Sequence, residues 1–132
     1  MTNRVLAADE SWAYLRMNTI GRIITTAADG TVDIFPVSYT TYSGEILIPT
    51  RLGTKLRSIA THPETLFEID GHDDDAHVVW SVVVRARAHF TPTLAERRHA
   101  EQVHLTPLAD IDANQVVTLV PQKISGREYR TR

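Results

Sequence analysis

The chain has 132 residues, 42% of them hydrophobic and 23% charged, with a formal net charge of −2. This is the composition of one globular domain, residues 1–132, able to bury a core unaided, and the charge gives it no general affinity for nucleic acid. The absence of cysteine excludes disulfides, thiol catalysis and Cys-ligated zinc.

The N-terminal residues hold no apolar run of signal-peptide length, and no stretch approaches the roughly 20 apolar residues of a membrane helix. A cytoplasmic protein that does not span a membrane is expected. Asp9 is placed to cap a helix, with Glu10 in its first turn. Trp12 and Leu15 lie on one face of this helix, and Gly21 is placed to stop it. Two β-rich runs then flank Asp29 and Gly30, the pattern of a hairpin. In the second run Val32, Ile34, Pro36 and Ser38 share one face, and Asp33, Phe35, Val37 and Tyr39 the other. Pro36 lacks an N–H and so marks an edge or a bend. Ser43 and Gly44 form a second tight turn.

Residues 45–56 carry the strongest chemical signal. Ile46, Leu47 and Ile48 read as a buried strand, with Pro49 hinting at irregular pairing beyond it. A polar turn then opens a helix over residues 54–61. Free N–H groups at such a helix start, with the positive end of its dipole, favour an anion. Gly53 lets the backbone approach, Thr50 and Thr54 offer hydroxyls, and Arg51 and Lys55 offer charged donors. The same residues also describe a Thr-capped helix with solvated cations. The nucleoside-triphosphatase loop pattern is absent.

His62 and Pro63 end this helix. Residues 64–70 read as a strand with Phe67 and Ile69 on one face. Residues 71–77 form a polar loop in which His72 and His77 flank Asp73, Asp74 and Asp75. These are ligand types for a hard cation, but the spacing matches neither an EF-hand nor a zinc helix, so no metal site is assigned. The longest β signal is residues 78–90, apolar at its start as if buried on both sides, then alternating Arg85 and Arg87 with Ala86 and Ala88. Thr93 caps a surface helix over residues 94–103. Strands over residues 115–121 and 123–130 close the chain. Many short strands with two or three helices predict a mainly β protein, an antiparallel barrel with peripheral helices.

Several pieces in order carry a resemblance: Gly21-Arg22-Ile23, residues 33–39, residues 50–56, residues 67–70, residues 80–88 and residues 124–127. Together they resemble the FMN-binding split β-barrel proteins of the pyridoxamine 5′-phosphate oxidase-like family, in its small stand-alone and nitroimidazole-reductase-like branches. The resemblance implies an antiparallel split β-barrel and a homodimer that holds two FMN molecules at its interface. It implies that Phe35, Pro36, Val37, Ser38 and Tyr39 line the flavin ring, mostly through backbone. Thr50, Arg51, Gly53, Thr54 and Lys55 would meet the phosphate, Ser81 would reach the flavin from the other subunit, and Trp80 would be an interface or ring neighbour. The implied activity is a flavin-dependent oxidoreductase acting on an unidentified small molecule, with NAD(P)H as a candidate donor and no catalytic residue assigned. The flavin itself would supply the electron chemistry. The alternatives are an F420-dependent reductase on the same barrel and a non-catalytic module binding flavin or haem.

Overall fold

In the computed structural model the described residues are 2–50, 56–103 and 115–131. The elements are β1 (Thr2–Leu6), α1 (Ala8–Met17), β2 (Ile20–Thr26), β3 (Val32–Ser38), β4 (Thr40–Tyr42) and β5 (Glu45–Thr50). There follow a 3₁₀ helix (Arg57–Ala60), β6 (Glu64–Asp73), β7 (Val78–His89), α2 (Leu94–Gln102) and β8 (Gln115–Arg130). One antiparallel sheet runs β3-β2-β6-β7-β8-β5-β4, and β1 pairs with the far end of β8. The first and last strands of this order, β3 and β4, are separated in the chain by Tyr39 alone. Such a connection requires the sheet to curl until its two ends approach, and the result is a split half-barrel, mainly β as the sequence predicts.

The predicted hairpins are present. Gly30 and Gly44 have φ of 87° and 79°, the left-handed conformation that such tight turns use. Alternation along the strands sends Ile23, Tyr39, Ile48, Phe67, Ile69, Val82 and Val84 into the concave side, all essentially without exposed surface. Leu15 of α1 closes this core. A second cluster lies on the convex side, where Ala100 of α2 packs over Leu47 and Val116. Thr93 caps α2 as predicted: its hydroxyl accepts from Glu96 N at 3.1 Å, and Glu96 Oε1 accepts from Thr93 N at 2.7 Å.

Several expectations are corrected. Asp9 lies inside α1, and Ala7 is the capping position; Glu10 reaches back to accept from Ala7 N at 2.9 Å. Gly21 does not stop a helix but sits inside β2, pressed against the ring of Phe67. The described part of the helix expected over residues 54–61 is a 3₁₀ helix, and its start lies outside the described residues. Pairing of β5 with β8 runs without a register shift through Pro49 and Val116. The start of β7 is not buried on both sides: Val79 and Val83 are 43% and 37% exposed, because one face of the strand looks outward along its whole length. The two closing strands are one, β8, with an irregularity between Arg85 and Ala86 that leaves Gln122 as the extra residue opposite β7. The first strand, β1, carries no apolar alternation and was not expected: among its residues only Leu6 is buried.

Candidate functional site

Of the residues expected to hold a cofactor, those of β3 lie at one end of the sheet. Their backbone pairs with β2 on one side, and among the described residues no strand pairs on the other. A strand in that position keeps main-chain donors and acceptors available to a ligand. Phe35 and Val37 pack against the core, Ser38 is buried, and Pro36 is exposed on the convex side. Pro36 therefore occupies an edge, where a missing N–H is tolerated. The Tyr39 side chain is fully buried. Its hydroxyl donates to Leu15 O at 2.7 Å, and its ring meets Phe67 edge-on at 5.0 Å. Burial raises its pKa, and only its backbone can face a ligand.

Thr50 is half-buried at the end of β5, paired in register with Gln115. The curl brings β3 and β5 into contact, so the strand expected to line a ring and the strand that leads to residues 51–55 are neighbours. Arg51, Gly53, Thr54 and Lys55 lie outside the described residues. Trp80 and Ser81 are elsewhere. Strands β2 and β6 separate Ser81 from β3, a spacing of about 14 Å at ~4.8 Å per strand. One copy of the chain thus unites β3 with β5 but keeps Ser81 apart from them.

Beside β3 the convex face carries a hollow of about 420 Å³ lined by Ile24, Thr26, Glu64, Thr65, Leu66, Arg85 and Gln122. Ile24 and Thr26 stand opposite Ile34 and Val32 of β3 in the register. The size falls within the roughly 300–1,000 Å³ of small-molecule sites. Ile24 and Leu66 give it an apolar floor suited to a flat ring, while Arg85, Gln122 and Thr26 offer polar contacts. Of these lining residues the sequence points only to Arg85, which with Arg87, Arg97 and Arg98 could meet an anionic substrate or a second cofactor phosphate but reads equally as surface ion pairing. For the others the signal is the alternation itself, which sets Ile24 and Leu66 on the exposed face of paired strands.

Trp80 borders a second, open cleft of about 850 Å³ between α1 and the β6–β7 hairpin. It stacks on Tyr14 with centroids 4.2 Å apart and planes 17° from parallel. Gly71 also abuts the indole: a Cβ there would stand 2.7 Å from Cζ2 of Trp80. Tyr14 donates to Glu128 Oε2 at 2.8 Å, and Arg4 donates to Glu128 Oε1 at 3.0 Å. Burial and the Glu128 carboxylate push the Tyr14 hydroxyl up to about 12. Glu128 is held below its ordinary value: burial works against this, but the hydrogen bonds from Tyr14 and Arg4 outweigh it. Tyr14 was missed because a lone tyrosine on a short helix carries no distinguishing spacing.

The acidic stretch is a solvated hairpin end. β6 continues to Asp73, the turn follows, and His77 takes a φ of 53°. His72 Nε2 stands 3.7 Å from Asp74 Oδ1, with both side chains largely exposed. Among the described residues no group of three or more acidic, histidine or cysteine side chains is close enough to hold a metal. Arg87 pairs with Glu64 at 2.7 Å, and Asp70 pairs with Arg22 at 3.1 Å. Among the described residues no helix is long and apolar enough to cross a membrane.

Comparison with known proteins adds three findings. The sequence profile described as pyridoxamine 5′-phosphate oxidase matches residues 7–128. An uncharacterised protein of Mycobacterium tuberculosis is 34% identical over 85 residues, 64% of this chain and 76% of that protein. Among solved structures, a Corynebacterium glutamicum protein provisionally described as a pyridoxamine 5′-phosphate oxidase is 34% identical. The match covers 98% of this chain and 99% of that one, with a TM-score of 0.84. An FAD-binding protein of Mycobacterium smegmatis is 30% identical, with 98% and 100% coverage and a TM-score of 0.71.

Proposed function

The chain belongs to the pyridoxamine 5′-phosphate oxidase family, and from that premise we propose that it is a flavin-dependent oxidoreductase binding FMN between two copies of itself. The observation that carries this reading is the end-to-end likeness to a flavin-binding relative, 30% identical over 98% of this chain. The local geometry supports it. An edge strand without a second strand partner among the described residues touches β5, the strand that leads to residues 51–55, and a hollow of ligand size lies beside it.

In this reading the flavin supplies hydride and electron transfer when bound. The backbone of residues 35–39 meets the polar edge of the ring, while Ile24 and Leu66 exclude water from its face. Thr50 and the turn residues Arg51, Gly53, Thr54 and Lys55 hold the phosphate. NAD(P)H is the proposed donor to a small acceptor.

The second copy is argued from the convex face. Ile20, Val32, Ile34, Val79 and Val83 are between 37% and 63% exposed and share that face with Arg22, Glu68, Asp70 and Arg85. Apolar residues interleaved with charges of both signs make a self-complementary surface. A second copy there brings its own Ser81, which shares that face, towards the flavin; a single copy holds Ser81 about 14 Å from β3, and Trp80 points to the opposite face against Tyr14.

The test is titration of the purified protein with FMN, following absorbance, fluorescence quenching and melting temperature. A quenched, ring-shifted spectrum and a higher melting temperature are expected. Absence of all three overturns the reading. FAD is a second candidate, favoured by the cofactor of the M. smegmatis relative; competition between FMN and FAD in the same titration separates them.

A further inference from the structure

Beneath α2 lies a carboxyl oxygen with no hydrogen-bond donor. Glu96 is 4% exposed. Its Oε1 accepts from Thr93 N, but its Oε2 is buried and unpartnered among the described residues. An ionised oxygen buried in this way is costly unless a proton reaches it. The surface that α2 covers offers one. Glu45 stands on the same convex side of β5 as Leu47, which packs with Ala100, one turn along α2 from Glu96. Tyr42, opposite Glu45 in the register, lies 4.8 Å from the ring of His99 on the same helix. The Glu45 and Glu96 carboxyls are near enough for each to act on the other's ionisation. Two carboxylates are acceptors only, so a bond between them requires a proton on one.

We propose that Glu45 and Glu96 share one proton, and that this proton latches α2 onto the convex face of the sheet, so that the helix loosens as the solution becomes less acid. Undocking would uncover Leu47 and Val116, beside the Thr50–Gln115 pair at the end of β5. The remaining groups around the pair are few. β4 contributes Tyr42, and β8 contributes Thr118, opposite Leu47 in the register, with a buried hydroxyl unpartnered among the described residues. β7 contributes His89, whose positive form favours ionised Glu96, and Arg87, which is held by Glu64. On α2 itself His99 is half-buried, and Arg97, Arg98 and Glu101 are exposed.

The sign of the effect follows from the two carboxyls. Sharing a proton with Glu96, then burial, then the Glu96 charge raise Glu45 from 4.5 to about 7, while Glu96 is lowered. Between those two pH values the docked helix holds one more proton than the undocked one. Undocking therefore rises with pH, approaching a limit of about tenfold per pH unit, and levels off above about 7. Below 4.5 the lowered Glu96 reverses the slope.

The test is amide hydrogen exchange across α2 from pH 5 to pH 8, corrected for intrinsic exchange and referenced to β7. Wild-type protection should fall by about tenfold or more between pH 5 and 7. Glu45→Gln keeps a donor at every pH and should make the profile flat, while His89→Gln should keep the slope. A flat wild-type profile, an unchanged slope in Glu45→Gln, or a slope lost in His89→Gln each overturns the proposal. Should Glu45→Gln not fold, the ¹³C titration of the Glu45 carboxyl decides: a midpoint near 7 supports the latch, and an ordinary carboxyl midpoint ends it.

Discussion

Tyr39 donates its hydroxyl to the backbone carbonyl of Leu15 at 2.7 Å, tying the residue that joins the two ends of the sheet to the last turn of α1. That carbonyl is one of the helix-terminal acceptors left without an intrahelical partner. Tyr39→Phe keeps the ring against Phe67 but leaves the carbonyl buried and unpaired. A loss of about 1–3 kcal/mol in urea unfolding is expected, with flavin affinity unchanged. A variant of wild-type stability and weakened flavin binding would return Tyr39 to the ring.

Gly21 sits where a Cβ would stand 2.4 Å from Cζ of Phe67 and 2.9 Å from Cγ2 of Ile69, both fully buried side chains. Neither has room to withdraw. Gly21→Ala should therefore destabilise by about 1–3 kcal/mol through overpacking, despite the better strand geometry of alanine. An unaltered urea midpoint would show that Phe67 swings aside freely.

Local periodicity made most of the strands legible. The turns at Gly30 and Gly44, the alternation of β6 and the Thr93 cap are all written in neighbouring residues. What escaped is what depends on distant partners. Gly21 read as a stop because its role is set by Phe67, 46 residues away in the register of β2 with β6. The strand that read as ending at residue 121 continues, because the long β7 carries β8 onward with an extra residue. β1 has a single buried side chain and is held by pairing with β8, which no local pattern announces. The same holds for the candidate site. The edge position of β3 followed from Pro36, whereas the hollow around Leu66 and Arg85 exists only because β2, β6 and β7 are neighbours.

Two carboxyls push the stability optimum towards mild acid. Burial first, then Asp70, raises Glu68 to about 7 against the opposing pull of Arg22, and Glu45 reaches a similar value. A raised carboxyl stabilises the fold fully below its unfolded pKa and loses that contribution as pH rises through about 7. Glu128 and Glu96 are lowered, so their contribution is lost as pH falls below the ordinary carboxyl range. Urea midpoints should peak near pH 5, between the ordinary carboxyl value of 4.5 and about 7. Glu68→Gln should make the limb above the peak shallower, leaving the share of Glu45, and should leave the acid limb intact. Midpoints that climb steadily from pH 5 to pH 8 would contradict the assignment.

Lys55 is proposed to meet the cofactor phosphate. Riboflavin has the ring without that phosphate, so the two ligands separate a phosphate contact from general damage. Lys55→Ala should weaken FMN by roughly tenfold to a hundredfold, the worth of one charge-assisted hydrogen bond, and leave riboflavin binding nearly unchanged. Equal losses for both ligands would remove Lys55 from that role.

Val83 lies on the convex face opposite Glu68, and it is 37% exposed. If a second copy covers that face, Val83 is buried between subunits, and a carboxylate there would be desolvated beside Glu68. Val83→Asp should then shift sedimentation from dimer to monomer, because an unpaired buried charge costs more than the apolar contact it replaces. The monomer should stay folded, since the side chain makes no contribution to the concave core. Flavin affinity should fall with the dimer, the site having lost the partner's contribution, and raising the protein concentration should restore both together. A variant that remains dimeric would place the subunit contact on another surface. A monomer that still binds FMN at wild-type strength would show that one copy suffices for the cofactor.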